Sequence, residues 1–211
     1  MSRRLLIFLS AVVIGFSLVG ATATATANIP LLRLHLSFGN QLAVISGDPL
    51  IQTACRGVGG FEKECISTLQ SAPPHQKADA NGLAFFTLKF VEDQAVNLTA
   101  DMKKVTLSDV SPLLQSALSD CLDQYNPLDD LIEDAINAVL GNAYVDAKKF
   151  IEAAMSDIDV CDSQLKASNV EEKAENKNGD EVQLSKNLKE YNSFLKNILS
   201  ATSNIIKTKA N

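Results

Sequence analysis

Four stretches of the chain repeat apolar residues at alternating steps of three and four, the spacing that lines one face of an α-helix. The first, from Asp79 to about Val105, carries Ala84, Leu88, Val91, Ala95, Leu98, Met102 and Val105, widened by Leu83, Phe86 and Phe90. The second opens near Pro112 with Leu114, Leu118, Cys121, Tyr125, Leu128, Ile132, Ala135 and Val139. A third carries Tyr144, Ala147, Ile151, Ala154, Ile158 and Cys161, and a fourth Leu184, Leu188, Tyr191, Leu195, Ile198, Thr202 and Ile205. No alternating strand pattern of comparable length occurs. The predicted fold class is all-α: an antiparallel four-helix bundle over residues 78–206, since each stripe must be buried against the others. Pro127 lies inside the second stripe, where it removes a backbone hydrogen bond, so a kink is predicted near Gln124 to Pro127 with the helix resuming beyond. Gly141-Asn142 is so short a break that the second and third helices must fold back on each other. The charged stretch Glu171 to Glu181 reads as a flexible loop.

Upstream of the bundle, residues 48–70 predict a helical hairpin. Asp48 is the N-cap and Pro49 the first helical residue of a short helix running to Cys55. The turn Gly57-Val58-Gly59-Gly60 leads to a second helix, Phe61 to Leu69, which Ser71-Ala72-Pro73-Pro74 ends. Residues 28–47 are apolar and weakly patterned, fitting either a leader helix on the core or a mobile terminus. Residues 1–27 have the three parts of a secretory signal: Arg3 and Arg4, an apolar run from Leu5 to Val19, and small residues ending in Ala25-Thr26-Ala27.

Cleavage after Ala27 leaves 17 basic against 25 acidic side chains, a charge of −8. Such a balance disfavours nucleic acid and anionic surfaces and favours a basic partner, chiefly through association rate. In an oxidising compartment the four cysteines admit three pairings. Cys55 and Cys65 flank the glycine turn and Cys121 and Cys161 end the second hairpin, so the local pairing is the expected one. Closing the 41-residue loop from Cys121 to Cys161 stabilises by ~4 kcal/mol in the chain-entropy model. The spacings C-x9-C and C-x39-C match no zinc site, and no metal or other cofactor is expected.

Catalytic chemistry finds little to work with. His35 lies in the apolar upstream segment and His75 in a Pro-Pro loop, neither with a predictable nucleophile or carboxylate beside it. There is no G-x-S-x-G elbow, phosphate-binding glycine loop or HExxH helix. Asp123, Asp129, Asp130, Glu133 and Asp134 cluster, but a di-metal bundle site needs Glu-x-x-His pairs, so these acids read as a solvated face. Asn97-Leu98-Thr99 is the one N-glycosylation sequon, on a helix face shared with Asp93, Asp101 and Lys104 beside the apolar seam.

The order C-x9-C, then ADANGLA (Ala78 to Ala84), ALSDCLDQY (Ala117 to Tyr125) and EAAMSDIDVC (Glu152 to Cys161), resembles the plant invertase and pectin methylesterase inhibitor family over Asp48 to Ile206. The resemblance implies a secreted protein of the apoplast, or alternatively the vacuole, with the cysteines paired first to second and third to fourth. It also implies no catalysis, but binding to a carbohydrate-active enzyme whose cleft is thereby blocked. The chain departs from the family at Pro127, usually an acidic or helix-compatible position, and in having no counterpart for residues 28–47. Invertase-directed members often carry Pro-Lys-Phe before the third helix. Here that place holds Ala143-Tyr144-Val145, and Lys149-Phe150 falls inside the predicted helix, which favours a pectin methylesterase as target over an acid invertase. The outward face of the second helix, Ser116, Ser119, Asp120 and Asp123, is the candidate contact surface. A helical storage or ligand-carrier protein is the rival from another class, favoured only by the apolar segment 28–47.

Overall fold

The computed structural model describes residues 48–167 and 179–210. The readings of residues 1–27, 28–47 and 171–178 lie outside the described residues.

The chain starts with α1 (Pro49–Cys55), and the Asp48 carboxylate accepts the Leu50 N–H at 2.9 Å, satisfying one of the free donors of the first turn. Gly57 and Gly59 have φ of 75° and 65°, a region costly for any side chain, and reverse the chain. A 3-10 turn over Gly59–Phe61 follows, then α2 (Glu62–Gln70), so Phe61 precedes the α-helix rather than opening it. The Cys55–Cys65 disulfide spans the reversal, with Cα atoms 5.7 Å apart. Periodicity alone missed α3 (Pro74–Lys77), which places the exposed His75 on a helical turn and not in a loop.

Four long members form the bundle. They are α4 (Ala80–Thr106), the pair α5 (Pro112–Tyr125) and α6 (Leu128–Leu140), α7 (Tyr144–Ala167) and α8 (Gly179–Ala210). α4 packs on α5, α6 and α8, and α7 on α5, α6 and α8, a ring in which α5 and α6 together occupy one position. Every residue of the four apolar stripes is buried except Phe86, Phe90 and Tyr144, which are half-buried. Each leucine or isoleucine taken fully out of water contributes about 1.5–3 kcal/mol, which holds the ring together. Phe194 of α8 ties the front end to the bundle, its ring centroid 6.0 Å from those of Phe61 and Phe90 and 6.2 Å from that of Tyr191.

Two expectations change. The second bundle member is two helices rather than one kinked helix. Asn126 and Pro127 keep near-helical backbone angles, so the direction holds, but Pro127 offers no N–H to the carbonyl four residues back, and the ladder restarts with Leu131 N–H on the Pro127 carbonyl at 3.2 Å. Also, α8 begins at Gly179, so Gly179 to Glu181 is helix rather than loop. Glu181 is only 5% exposed. Its carboxylate accepts from the Ser111 backbone N–H at 2.8 Å and the Ser111 hydroxyl at 2.5 Å, joining the starts of α5 and α8.

The α6–α7 reversal rests on Asn142, the one non-glycine residue with positive φ (58°) among the described residues. Asparagine is the side chain that tolerates this conformation best. Its Oδ1 accepts from Asn81 Nδ2 at 3.0 Å and from the Tyr144 hydroxyl at 2.6 Å, so the turn is bonded both to the start of α4 and to its own helix.

Candidate partner surface

α5 is built as a two-sided element. Ser111 caps it by accepting the Leu114 N–H at 3.3 Å, and Pro112 takes the first helical position. Leu114, Ala117, Leu118, Cys121 and Tyr125 form its buried face. Ser116, Ser119, Asp120 and Asp123 fall on the opposite side of the helical wheel and are all exposed. Beyond the interruption at Asn126-Pro127, the acids Asp129, Asp130, Glu133 and Asp134 of α6 are exposed as well. The candidate residues of α5 therefore stand at the head of a longer solvated acidic strip. A groove of 310 Å³ runs beside the interruption, where Val96, Thr99 and Lys103 of α4 face Asn126 and Asp129. Asn97 is exposed on α4, with Asp93 and Lys104 exposed and Asp101 half-buried along its stripe.

Beneath the inner side of α5 lies a polar core that sequence reasoning missed. Asn192 of α8 is completely buried. Its Oδ1 accepts from the Tyr125 hydroxyl at 2.6 Å, and its Nδ2 donates to Asp162 Oδ1 at 2.7 Å while lying 3.4 Å from Cys161 Sγ. The network therefore joins α5, α7 and α8 beside the Cys121–Cys161 disulfide, whose Cα atoms are 4.4 Å apart. Burial, reinforced by Asp162 and then Tyr191, pushes the Tyr125 phenol well above its usual range. Burial raises the Asp162 carboxyl too, against the pull of the Asn192 bond, Lys196 and Lys166, with Asp159 adding to the rise. Tyr191, which donates to Gln94 Oε1 on α4, is pushed up to about 12 by burial and then by Asp101. Both phenols stay protonated at neutral pH and act as donors that hold helices together.

Both cysteine pairs are closed, leaving no free thiol. Among the described residues no three His, Cys, Asp or Glu side chains gather as a metal site. No helix among them is long and apolar enough to cross a membrane.

The described residues thus form a small all-α bundle clamped by one disulfide between neighbouring helices, with a second disulfide closing an N-terminal loop. The model of the plant invertase/pectin methylesterase inhibitor family matches residues 49–205, and the chain belongs to that family. Its members are extracellular inhibitors rather than enzymes. The fold is similar to that of a mutant form of a pectin methylesterase inhibitor from Arabidopsis, with a TM-score of 0.57 at 19% identity over 74% of this chain and 95% of that one. A second structure, a pectin methylesterase inhibitor from Arabidopsis thaliana, aligns with a TM-score of 0.43 at 18% identity, covering 65% of this chain and 86% of that one. No curated protein sequence is matched.

Proposed function

We propose that the chain is a secreted, stoichiometric inhibitor of a pectin methylesterase, which it blocks by binding through the exposed face of α5. The observation that carries the choice of target is the α6–α7 turn. There Ala143-Tyr144-Val145 stands where many invertase-directed members of the family carry Pro-Lys-Phe, which supports a pectin methylesterase as the target. Ser116, Ser119, Asp120 and Asp123 are the contact residues, and residues 1–27 are the signal removed on export. At so exposed a site the two acids govern encounter rate and salt dependence more than final affinity. Asn97 carries an N-linked glycan in this reading, on α4 and off the α5 face.

Purified protein is to be titrated against a panel of pectin methylesterases and acid invertases at mildly acidic pH. Inhibition of a pectin methylesterase alone is the expected result, and inhibition of an acid invertase alone overturns the choice of target. Replacing the four α5 residues with alanine is expected to weaken inhibition and flatten its salt dependence. Unchanged inhibition by that variant places the contact surface elsewhere.

A further inference from the structure

Asn97 stands at the lip of the 310 Å³ groove between α4 and the α5–α6 interruption. Val96, one residue before it, and Ala100, three residues after it, both line the groove. Residues three apart on a helix are surface neighbours, about 5–6 Å between Cβ atoms. Thr99, the hydroxyl residue that completes the sequon Asn97-Leu98-Thr99, lines the groove as well. On its other flank Asn97 meets Asp101, whose carboxylate already accepts from Lys104 at 2.8 Å. A sugar attached at Asn97 therefore starts beside an open depression.

The lining of that depression suits a ligand with an apolar face and hydroxyl edges. Ala95 is buried at its base, while Ala100 is exposed and Val96 keeps 53% of its surface in water. Lys103 of α4 and Asp129 of α6 stand on opposite walls without forming an ion pair, and Asn126 lies on the Asp129 side. Among the described residues no hydrogen bond or ion pair uses the side chain of Lys103, Asn126 or Asp129. A hydroxyl both donates and accepts. A sugar ring thus accepts from the Lys103 ammonium and donates to the Asp129 carboxylate, two charges that do not meet directly. A lone cation or anion satisfies one of them and is opposed by the other. Cavities of about 150 Å³ hold one benzene-sized ring, so the groove has room for one N-acetylglucosamine with its acetamide arm.

We propose that the N-linked glycan on Asn97 folds back into this groove. Its first N-acetylglucosamine covers Val96 and Ala100, and its hydroxyls bridge Lys103 to Asp129. The proposal rests on the reading that Asn97 is glycosylated and stands whichever enzyme the protein inhibits. The sugar then ties α4 to the start of α6, across the point where Pro127 divides the second bundle member.

For the test, the protein is secreted from cells that attach high-mannose glycans, and its intact mass first establishes the sugar. Hydrogen exchange read by mass spectrometry then compares three forms: this glycoprotein, the same protein trimmed by endoglycosidase H to a single N-acetylglucosamine, and Asn97→Gln. Peptides spanning residues 122–135 are expected to exchange about tenfold faster in Asn97→Gln than in either glycosylated form. Lys103→Ala/Asp129→Ala keeps the sequon and is expected to bring the same acceleration to the glycosylated protein, with no further acceleration on the Asn97→Gln background. Equal acceleration with and without the sugar gives those two side chains a merely structural role and overturns the proposal. Equal exchange of residues 122–135 in wild type and Asn97→Gln also overturns it, leaving the glycan attached but unseated. So does acceleration on trimming, which moves the contact beyond the first sugar. An intact mass without sugar overturns the reading of Asn97 and the seat together.

Discussion

Asn192→Ala removes a side chain that faces three helices at once, and the structure allows its cost to be worked out. The Tyr125 hydroxyl, in a residue 3% exposed, loses its acceptor at 2.6 Å. An orphaned buried hydroxyl costs about 1–3 kcal/mol. The half-buried Asp162 loses a donor at 2.7 Å, a charged-acceptor bond worth about 1.5–3 kcal/mol when dry and about 1 kcal/mol after allowance for partial exposure. Together these predict a loss of about 3 kcal/mol near neutral pH, large among single substitutions. Urea unfolding followed by helical circular dichroism, with both disulfides intact, measures it.

The loss also depends on pH with a definite sign. The folded chain holds the Asp162 proton more tightly than an ordinary aspartate at 3.8 does, so stability declines as pH rises through the folded value. Asn192 favours the charged form; deleting it raises the carboxyl further, and the decline becomes steeper. Asn192→Ala is therefore expected to cost more at about pH 7 than at about pH 4. Tyr125→Phe combined with Asn192→Ala is expected to cost about 1 kcal/mol less than the sum of the two single changes, because the hydroxyl to be orphaned is already gone. Equal costs at both pH values, together with simple additivity, would refute the network as described.

Three further changes probe separate joints. Cys121→Ser/Cys161→Ser, which opens the loop between α5 and α7, is expected to lower stability by up to ~4 kcal/mol; a cost below that of the Cys55–Cys65 pair, whose shorter loop predicts ~3 kcal/mol, contradicts the loop-entropy ordering. Gly82→Ala would place a Cβ 2.6 Å from the Gln76 carbonyl oxygen, so a lowered melting temperature equivalent to about 1–3 kcal/mol is expected, and an unchanged or raised one would show that α3 moves freely off α4. Asn142→Ala forces alanine into φ of 58° and strips the bonds to Asn81 and Tyr144; it is expected to cost more than Asn142→Gly, which relieves the backbone but not the bonds, and thermal melts of both variants decide it.

What was legible in the residues and what was not divides by range. Helical periodicity is local, so Ala84, Leu118, Ile151 and Leu195 all announced their burial through neighbours three and four positions away. Asp48 was readable as a cap for the same reason, because its partner Leu50 is two residues on. Glu181 was misread because it sits in a charged stretch, and its hydrogen-bond partner in the fold is Ser111, 70 residues earlier. Asn192 left no trace in the pattern either: it stands beside the Tyr191 and Leu195 stripe, and only the packed bundle brings it to Tyr125 and Asp162. Pro127 was located correctly as a disturbance, but composition does not say whether a proline bends a helix or divides it. On the candidate surface, exposure of Ser116, Ser119, Asp120 and Asp123 followed from the opposite face being apolar. Periodicity carries no information about which outward residues a partner would touch.

The two disulfides join cysteines 10 and 40 positions apart, and neither loop encloses the other. Along a chain emerging from its N-terminus, Cys55 therefore meets Cys65 before Cys121 has been made, and Cys121 then waits only for Cys161. An oxidant that couples thiols strictly in order of arrival produces the native connectivity, and no bond has to be broken and remade. The α1–α2 loop is closed while the bundle is still being synthesised, and the final cross-link forms once α7 has emerged, before α8 arrives to bury Asn192 beside it.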